Sequence, residues 1–166
     1  MVRYRTQNGL MVLTWDYGGI LHQFNERPAL IRSDGHCEYW YMGRLHRSDG
    51  IPAITFNPAF ELKSVPSFLK NPLPSSSDKR VEYWEYGQLH RVDGPAVIIG
   101  DGVEDFEYYD PRSRKFQRIL LTGIIKFFYQ EGLLYRPGNL PVVEASNVLV
   151  YNNPWEPGCL IEELAC

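Results

Sequence analysis

The chain has 166 residues, which is long enough for one domain with a real hydrophobic core and does not require two. Hydrophobic residues make up 44% and charged residues 22%, the proportions of a soluble globular protein. The net charge of −3 gives no general electrostatic reason to bind nucleic acid, and no apolar stretch is long enough to span a bilayer.

The cysteines and the N-terminal sequence bear on the cellular compartment. The three cysteines match neither the spacing of a zinc site nor that of a redox motif. The N-terminus lacks the charged and then apolar regions of a signal peptide. We therefore expect a protein of the cytoplasm or of a virion that is neither secreted nor transmembrane.

Four related units follow one another along the chain, near residues 10–31, 34–55, 80–99 and 126–143. Their aligned glycines are Gly19, Gly43, Gly87 and Gly132, so that successive units are offset by 24, 44 and 45 residues. An active site is normally needed once, whereas a stacking unit is needed many times. The repetition therefore predicts architecture more than chemistry.

Each unit reads as a β-hairpin. An aromatic strand comes first, a glycine that tolerates positive φ makes the turn, and the returning segment carries an inward leucine. In the second unit we expect Trp40 on the inner face and Tyr39 with Tyr41 on the face toward water. The residues expected to hold the repeats together are Trp40, Gly43, Leu45, His46, Asp49, Gly50, Trp84, Gly87, Leu89, His90, Asp93 and Gly94.

Two insertions and a tail complete the chain. Residues 56–79 are rich in proline and serine and read as a loop, while 103–125 read as a degenerate unit or insertion. Within the latter we expect a turn at 122–123. The C-terminal tail, 144–166, contains one stretch that could form a short helix, residues 160–165.

These patterns predict an all-β fold with little helix. One hairpin cannot bury its own apolar face, so stacked antiparallel β-hairpin repeats should form an elongated or curled sheet within a single domain, residues 1–166.

The unit pattern is Trp-x-x-Gly-x-Leu-His-Arg-x-Asp-Gly-Pro-Ala, and it resembles the variant MORN repeats of bacteria, phages and large DNA viruses. The resemblance covers roughly residues 10–143. The first unit departs from it at Gln23 and at 25–26, the second inserts Ile51, and the fourth has Tyr135 for histidine. The resemblance implies hairpin repeats used for scaffolding or binding, with no inherited catalytic residues.

The histidines allow two interpretations. His22, His46 and His90 could form a general base with a nearby aspartate such as Asp49, or bind a metal ion. Because the motif recurs in every unit and the fourth unit has a tyrosine there, we favour a structural ring. Its polar tip would then bond a turn or a neighbouring unit.

The arginines of the repeats, Arg47, Arg91 and Arg136, are expected to pair with turn carboxylates such as Asp49 and Asp93. A row of arginines that binds carboxylate or phosphate is the alternative. The tail should either cap an exposed sheet edge or dock another protein. Candidate partner contacts are Arg112, Arg114, Lys115, Trp155 and Leu160.

No enzyme motif is present, and we expect no catalytic residue, metal or cofactor. The sequence favours a structural or adaptor protein, viral or phage-derived among its candidate settings. It would act through protein partners, including higher-order assembly, and without nucleic acid. The alternatives are a single-partner inhibitor of the antitoxin kind and a small histidine-dependent enzyme.

Overall fold

The computed structural model describes residues 1–7, 10–56, 80–152 and 158–164. These residues form eighteen β-strands and no helix, so that the predicted all-β class is confirmed. A helix long and apolar enough to cross a membrane is accordingly not found among them.

The chain divides into two compact units, each of which contains residues of more than one of the sequence repeats; from here on, first unit and second unit mean these two. The first comprises Met1–Ser76 with Arg80–Gln88, and the second comprises Ser77–Lys79 with Leu89–Cys166. All but the first residue of the predicted loop at 56–79 lies outside the described residues. The single repeat domain stays a prediction.

The first unit consists of short antiparallel strands. They are β1 (Val2–Gln7), β2 (Leu10–Tyr17), β3 (Ile20–Leu21), β4 (Leu30–Arg32), β5 (His36–Glu38), β6 (Trp40–Tyr41), β7 (Arg44–Leu45), β8 (Ile54–Phe56), β9 (Arg80–Glu82) and β10 (Trp84–Glu85). One sheet holds β1, β2, β4, β5, β8 and β9 in that order. The repeated hairpins are formed by β2 with β3 and by β6 with β7.

The repeated hairpins turn through two residues with positive φ. These angles are 61° and 84° at Gly18 and Gly19, and 48° and 77° at Met42 and Gly43. Two consecutive left-handed residues make the type I′ turn, whose twist matches that of the flanking strands. The aligned glycine of each unit supplies the second of these positions.

The core of the first unit corrects one prediction. Its buried members are Leu13, Ile31, Cys37, Tyr39 and Ala53, with Trp15 and Trp84 packed against them. Tyr39 is only 8% exposed, so its placement toward water was wrong. The chain leaves the strand between β5 and β6, where the Tyr39 amide donates to the Ala53 carbonyl at 2.8 Å. That break interrupts the two-residue alternation and turns the ring inward, while Trp40 is half-buried.

The second unit contains one long hairpin and several short strands. After β11 (Gln88–Leu89), within which the chain passes from one unit to the next, come β12 (Val97–Asp110), β13 (Lys115–Phe127), β14 (Tyr129–Gln130), β15 (Leu133–Leu134), β16 (Val143–Glu144), β17 (Val148–Asn152) and β18 (Cys159–Glu163). Its sheet runs β12-β13-β16-β17-β18, and β12 also contacts β18. The buried core is Val97, Ile99, Leu121, Ile125, Val142, Val143, Ala145, Val148 and Val150.

Two local predictions fail in this unit. The turn expected at 122–123 is absent because β13 runs straight through it, with Gly123 paired to Gly102 beside a bulge in β12. The short helix that residues 160–165 could have formed is not found over the described residues 160–164, because Leu160 lies in β18, opposite Tyr151 of β17. A helix of six residues is marginal alone, whereas pairing with β17 satisfies the main chain.

Candidate functional site

The histidines join successive hairpins in the first unit. Nδ1 of His22 accepts the Met42 amide at 3.1 Å, and Nδ1 of His46 accepts the Tyr86 amide at 3.4 Å. Each donor directly precedes the turn glycine of the next hairpin. This is the neighbouring-unit bond that the structural interpretation of the histidines predicts.

The same bond recurs inside the second unit, where Nδ1 of His90 accepts the Glu131 amide at 3.0 Å. There the main chain adds a parallel link, because the Gly132 amide donates to the Leu89 carbonyl at 2.9 Å. Consecutive hairpins are therefore held together by side chain and backbone at the same place.

His22 is enclosed in a way that suits packing. The residue is 3% exposed, and its ring lies edge-on to those of Phe24 and Tyr41, at centroid distances of 4.2 and 5.2 Å. Because Nδ1 accepts a hydrogen bond, a neutral ring carries its proton on Nε2. That atom has no hydrogen-bond partner among the described residues. The ring thus fills space and fixes a turn.

Around these histidines lies an exposed surface that we call the aromatic ridge, made of Tyr17, Phe24, Tyr41 and Tyr86, whose rings each contact His22 or His46. Tyr17, Tyr41 and Tyr86 are 65%, 49% and 55% exposed. The Tyr86 ring stacks on His46 at 4.1 Å. Exposed apolar surface on this scale commonly marks an interaction site.

A polar chain that the sequence analysis missed supports the second hairpin. Glu38 accepts the indole N–H of Trp40 at 2.7 Å, and its other oxygen lies 2.8 Å from Nε2 of His36. Burial raises the pKa of Glu38, but these hydrogen bonds outweigh burial and hold it below its usual value. Glu82 and Trp84 repeat the contact at 2.6 Å. The shared Glu-Tyr-Trp sequence was the available signal.

The repeat arginines bond residues of their own repeat and of neighbouring repeats. Arg47 donates to the Pro52 carbonyl at 3.2 Å and pairs with Glu26 of the preceding repeat at 3.4 Å. The expected carboxylate partner was Asp49. Its guanidinium lies 3.8 Å above the Tyr39 ring. The Arg47 guanidinium is therefore already engaged on one face by Tyr39 and along its edge by the Pro52 carbonyl and Glu26.

In the second unit the same carbonyl bond recurs. Arg91 donates to Pro95 and Arg136 to Pro141, each at 3.2 Å, and Arg136 also pairs with Glu144. These contacts support a structural arginine more than a phosphate-binding row. The described residues contain no group of three His, Cys, Asp or Glu side chains placed to hold a metal ion.

The basic residues Arg112, Arg114 and Lys115 are exposed around the turn that joins β12 to β13. Asp110 closes this turn by accepting the amides of Arg112 and Ser113. Hydrogen bonds from Ser113 and the Arg112 backbone lower the pKa of Asp110. The side chains of the three basic residues are left facing solvent.

The other candidate contacts separate in space or fall outside the described chain. Leu160 is half-buried in β18 and lines a cleft, whereas Trp155 lies outside the described residues. Cys37 is buried in the core, and burial raises the pKa of the Cys159 thiol. A raised pKa leaves less of the reactive thiolate at neutral pH.

Clefts lie beside the repeated hairpins within each of the two compact units. One of about 150 Å³ in the first unit is walled by Phe24, Trp40 and Tyr41. Two larger clefts, of about 420 and 260 Å³, lie in the second unit and share Tyr135 and Leu140 as a wall. The sequence repeats therefore form part of the lining of each of these clefts.

Comparisons with protein-family models, curated proteins and solved structures find no match. The candidate site accordingly rests on geometry. Its parts are the aromatic ridge of the first unit, the paired clefts of the second, and the basic turn between β12 and β13.

Proposed function

We propose that this is a non-enzymatic repeat protein, a structural or adaptor component that acts through protein–protein contacts. The aromatic ridge is the observation that carries the proposal. Aromatic side chains supply much of the binding energy of protein interfaces, and here they stand exposed on consecutive hairpins. The resemblance to variant MORN repeats agrees with such a role in the cytoplasm or a virion.

Burial of the ridge would contribute much of the free energy of binding, but it is too small to hold a stable complex by itself. Burying four half-exposed rings removes about 400 Å² from water. At about 25 cal/mol per Å² this gains about 10 kcal/mol. Association costs about 4–15 kcal/mol in lost freedom, so stable binding needs further contacts around the ridge.

The experiment is a pull-down of the tagged protein from lysate of its native cell, with mass spectrometry of the captured proteins. The test variant replaces Tyr17, Tyr41 and Tyr86 by serine. We expect it to keep its circular dichroism spectrum and to melt at a lower temperature, because the ring contacts with His22 and His46 are lost. At a temperature where the variant is still fully folded, it should lose the captured partners. Retention of the same partners by this variant contradicts the proposal.

A matched control replaces Val103, Leu120 and Ile124 by serine, three exposed apolar residues of the long hairpin. This control should retain the partners. Several stoichiometric proteins in the capture support a scaffold, whereas one dominant partner at equal stoichiometry points to the single-partner inhibitor.

A further inference from the structure

The two clefts of the second unit flank one stretch of chain, residues 135–140. The larger cleft, about 420 Å³, extends from this stretch to Tyr151 and Leu160. The smaller, about 260 Å³, extends from it to Val92 and Asp93. The stretch is thus a wall with an open groove on either side.

The wall is aromatic and apolar at its top. Tyr135 and Leu140, which line both clefts, are 47% and 48% exposed. The charge of Arg136 beneath them is already paired with Glu144. Tyr135 makes no side-chain hydrogen bond within the residues that the structure describes, and its side chain is half-exposed, so that its hydroxyl can donate to a ligand.

The smaller cleft lies between two walls, the returning segments of the third and fourth repeats, and the distance between these walls follows from strand geometry. The Arg91 amide bonds the Tyr129 carbonyl at 3.1 Å, and Tyr129 is paired in turn with Leu134. The returning segments of the third and fourth repeats therefore stand two strand steps apart, about 9.6 Å. A polyproline II helix advances about 9.3 Å in three residues. A peptide that crosses these walls in the polyproline II conformation therefore places every third residue at nearly the spacing of the walls.

We propose that the two clefts bind a proline-rich segment of a partner protein in the polyproline II conformation. Prolines three residues apart would enter the two clefts on either side of Tyr135. The inference rests on the proposed function, for which it names the chemistry of a partner.

Chemical complementarity supports this occupant. Proline rings pack on aromatic walls, and the polyproline II backbone leaves its carbonyls free to accept the Tyr135 hydroxyl. Asp93 is exposed at the rim of the smaller cleft and makes no ion pair within the described residues. A basic residue just outside the first proline would meet this carboxylate, which sets the direction of the segment.

The test uses fluorescence anisotropy with the full chain and a labelled synthetic peptide, in which an arginine precedes Pro-Ala-Ala-Pro. Two matched peptides place the prolines two and four residues apart. We expect the three-residue spacing to bind at least about tenfold more tightly than either control. Higher salt should weaken its binding to the natural chain but not to an Asp93→Asn variant.

Protein variants locate the binding. Tyr135→Ala should weaken binding about tenfold or more, whereas Leu133→Ala should leave it unchanged. Leu133 is 71% exposed in the same hairpin and lines neither cleft. Both variants are checked by circular dichroism.

Equal binding of the three peptides overturns the proposal, as does no binding up to about 1 mM. Self-association that buries Tyr135 also overturns it, since a second copy would then occupy the clefts. If the peptides fail to bind while the pull-down still depends on the aromatic ridge, only the polyproline proposal is wrong. The pull-down tests a surface in the first unit, so that the proposed function is unaffected.

Discussion

Replacing His22 tests whether the repeat histidines are structural. In a His22→Ala variant the Met42 amide loses its acceptor, which costs about 0.5–1.5 kcal/mol. The lost ring contacts with Phe24 and Tyr41 add about 0.5–1.5 kcal/mol each. The three contributions sum to a loss of about 1.5–4.5 kcal/mol. For a unit of this size, a loss of about 3 kcal/mol, the middle of that range, lowers the melting temperature by about 10 °C or more.

The assay combines scanning calorimetry with amide hydrogen exchange followed by NMR. His22→Ala should remove exchange protection at the Met42 amide. His22→Asn should restore part of it, because the Asn oxygen can stand close to where Nδ1 stood. Tyr17→Ser, at an exposed neighbour, should change stability by about 0.5 kcal/mol or less. A melting temperature unchanged by His22→Ala would refute the structural role.

Two further predictions concern a turn and a charge. Gly43→Ala should destabilise the first unit by about 1 kcal/mol more than Gly19→Ala in urea unfolding, since both have positive φ but only the first places a Cβ 2.6 Å from Ile20; equal losses contradict this. Burial raises the pKa of Glu144, but hydrogen bonds led by that from Arg136 hold it below 4.5, so the second unit should lose stability as pH falls below that value. When the midpoint of urea unfolding is measured against pH, Glu144→Gln should make the midpoint depend less on pH in this acidic range. An unchanged dependence on pH would show that the Glu144 carboxylate does not contribute.

Repetition is what made the fold and the histidine contacts predictable. A turn glycine that recurs in four units marks a hairpin, and a histidine that recurs beside it is expected to serve the hairpins. Both expectations depend only on neighbours in the repeat. The bond from the Met42 amide to His22 is local in this sense, although 20 residues separate the two in the chain.

The failures have a different physical origin. Thr122 and Gly123 have turn composition, yet Gly123 lies inside β13 because pairing with β12 continues on both sides of it. The inward turn of Tyr39 depends on a bond to Ala53, beyond the next turn. The larger cleft beside Tyr135 depends on β17 and β18, which supply Tyr151 and Leu160 to its lining. Such long-range pairings leave little trace in a local sequence pattern.

The links between hairpins connect stability to binding. A ring on a fixed hairpin loses little conformational freedom when a partner covers it, so more of its burial energy appears as affinity. His46 fixes the hairpin that carries Tyr86 and also stacks on its ring. A His46→Ala variant should therefore weaken partner capture through Tyr86 even where the partner does not touch the histidine. If capture depends on Tyr86 but is unaffected by His46→Ala, the ridge binds as independent side chains and its preorganisation contributes nothing.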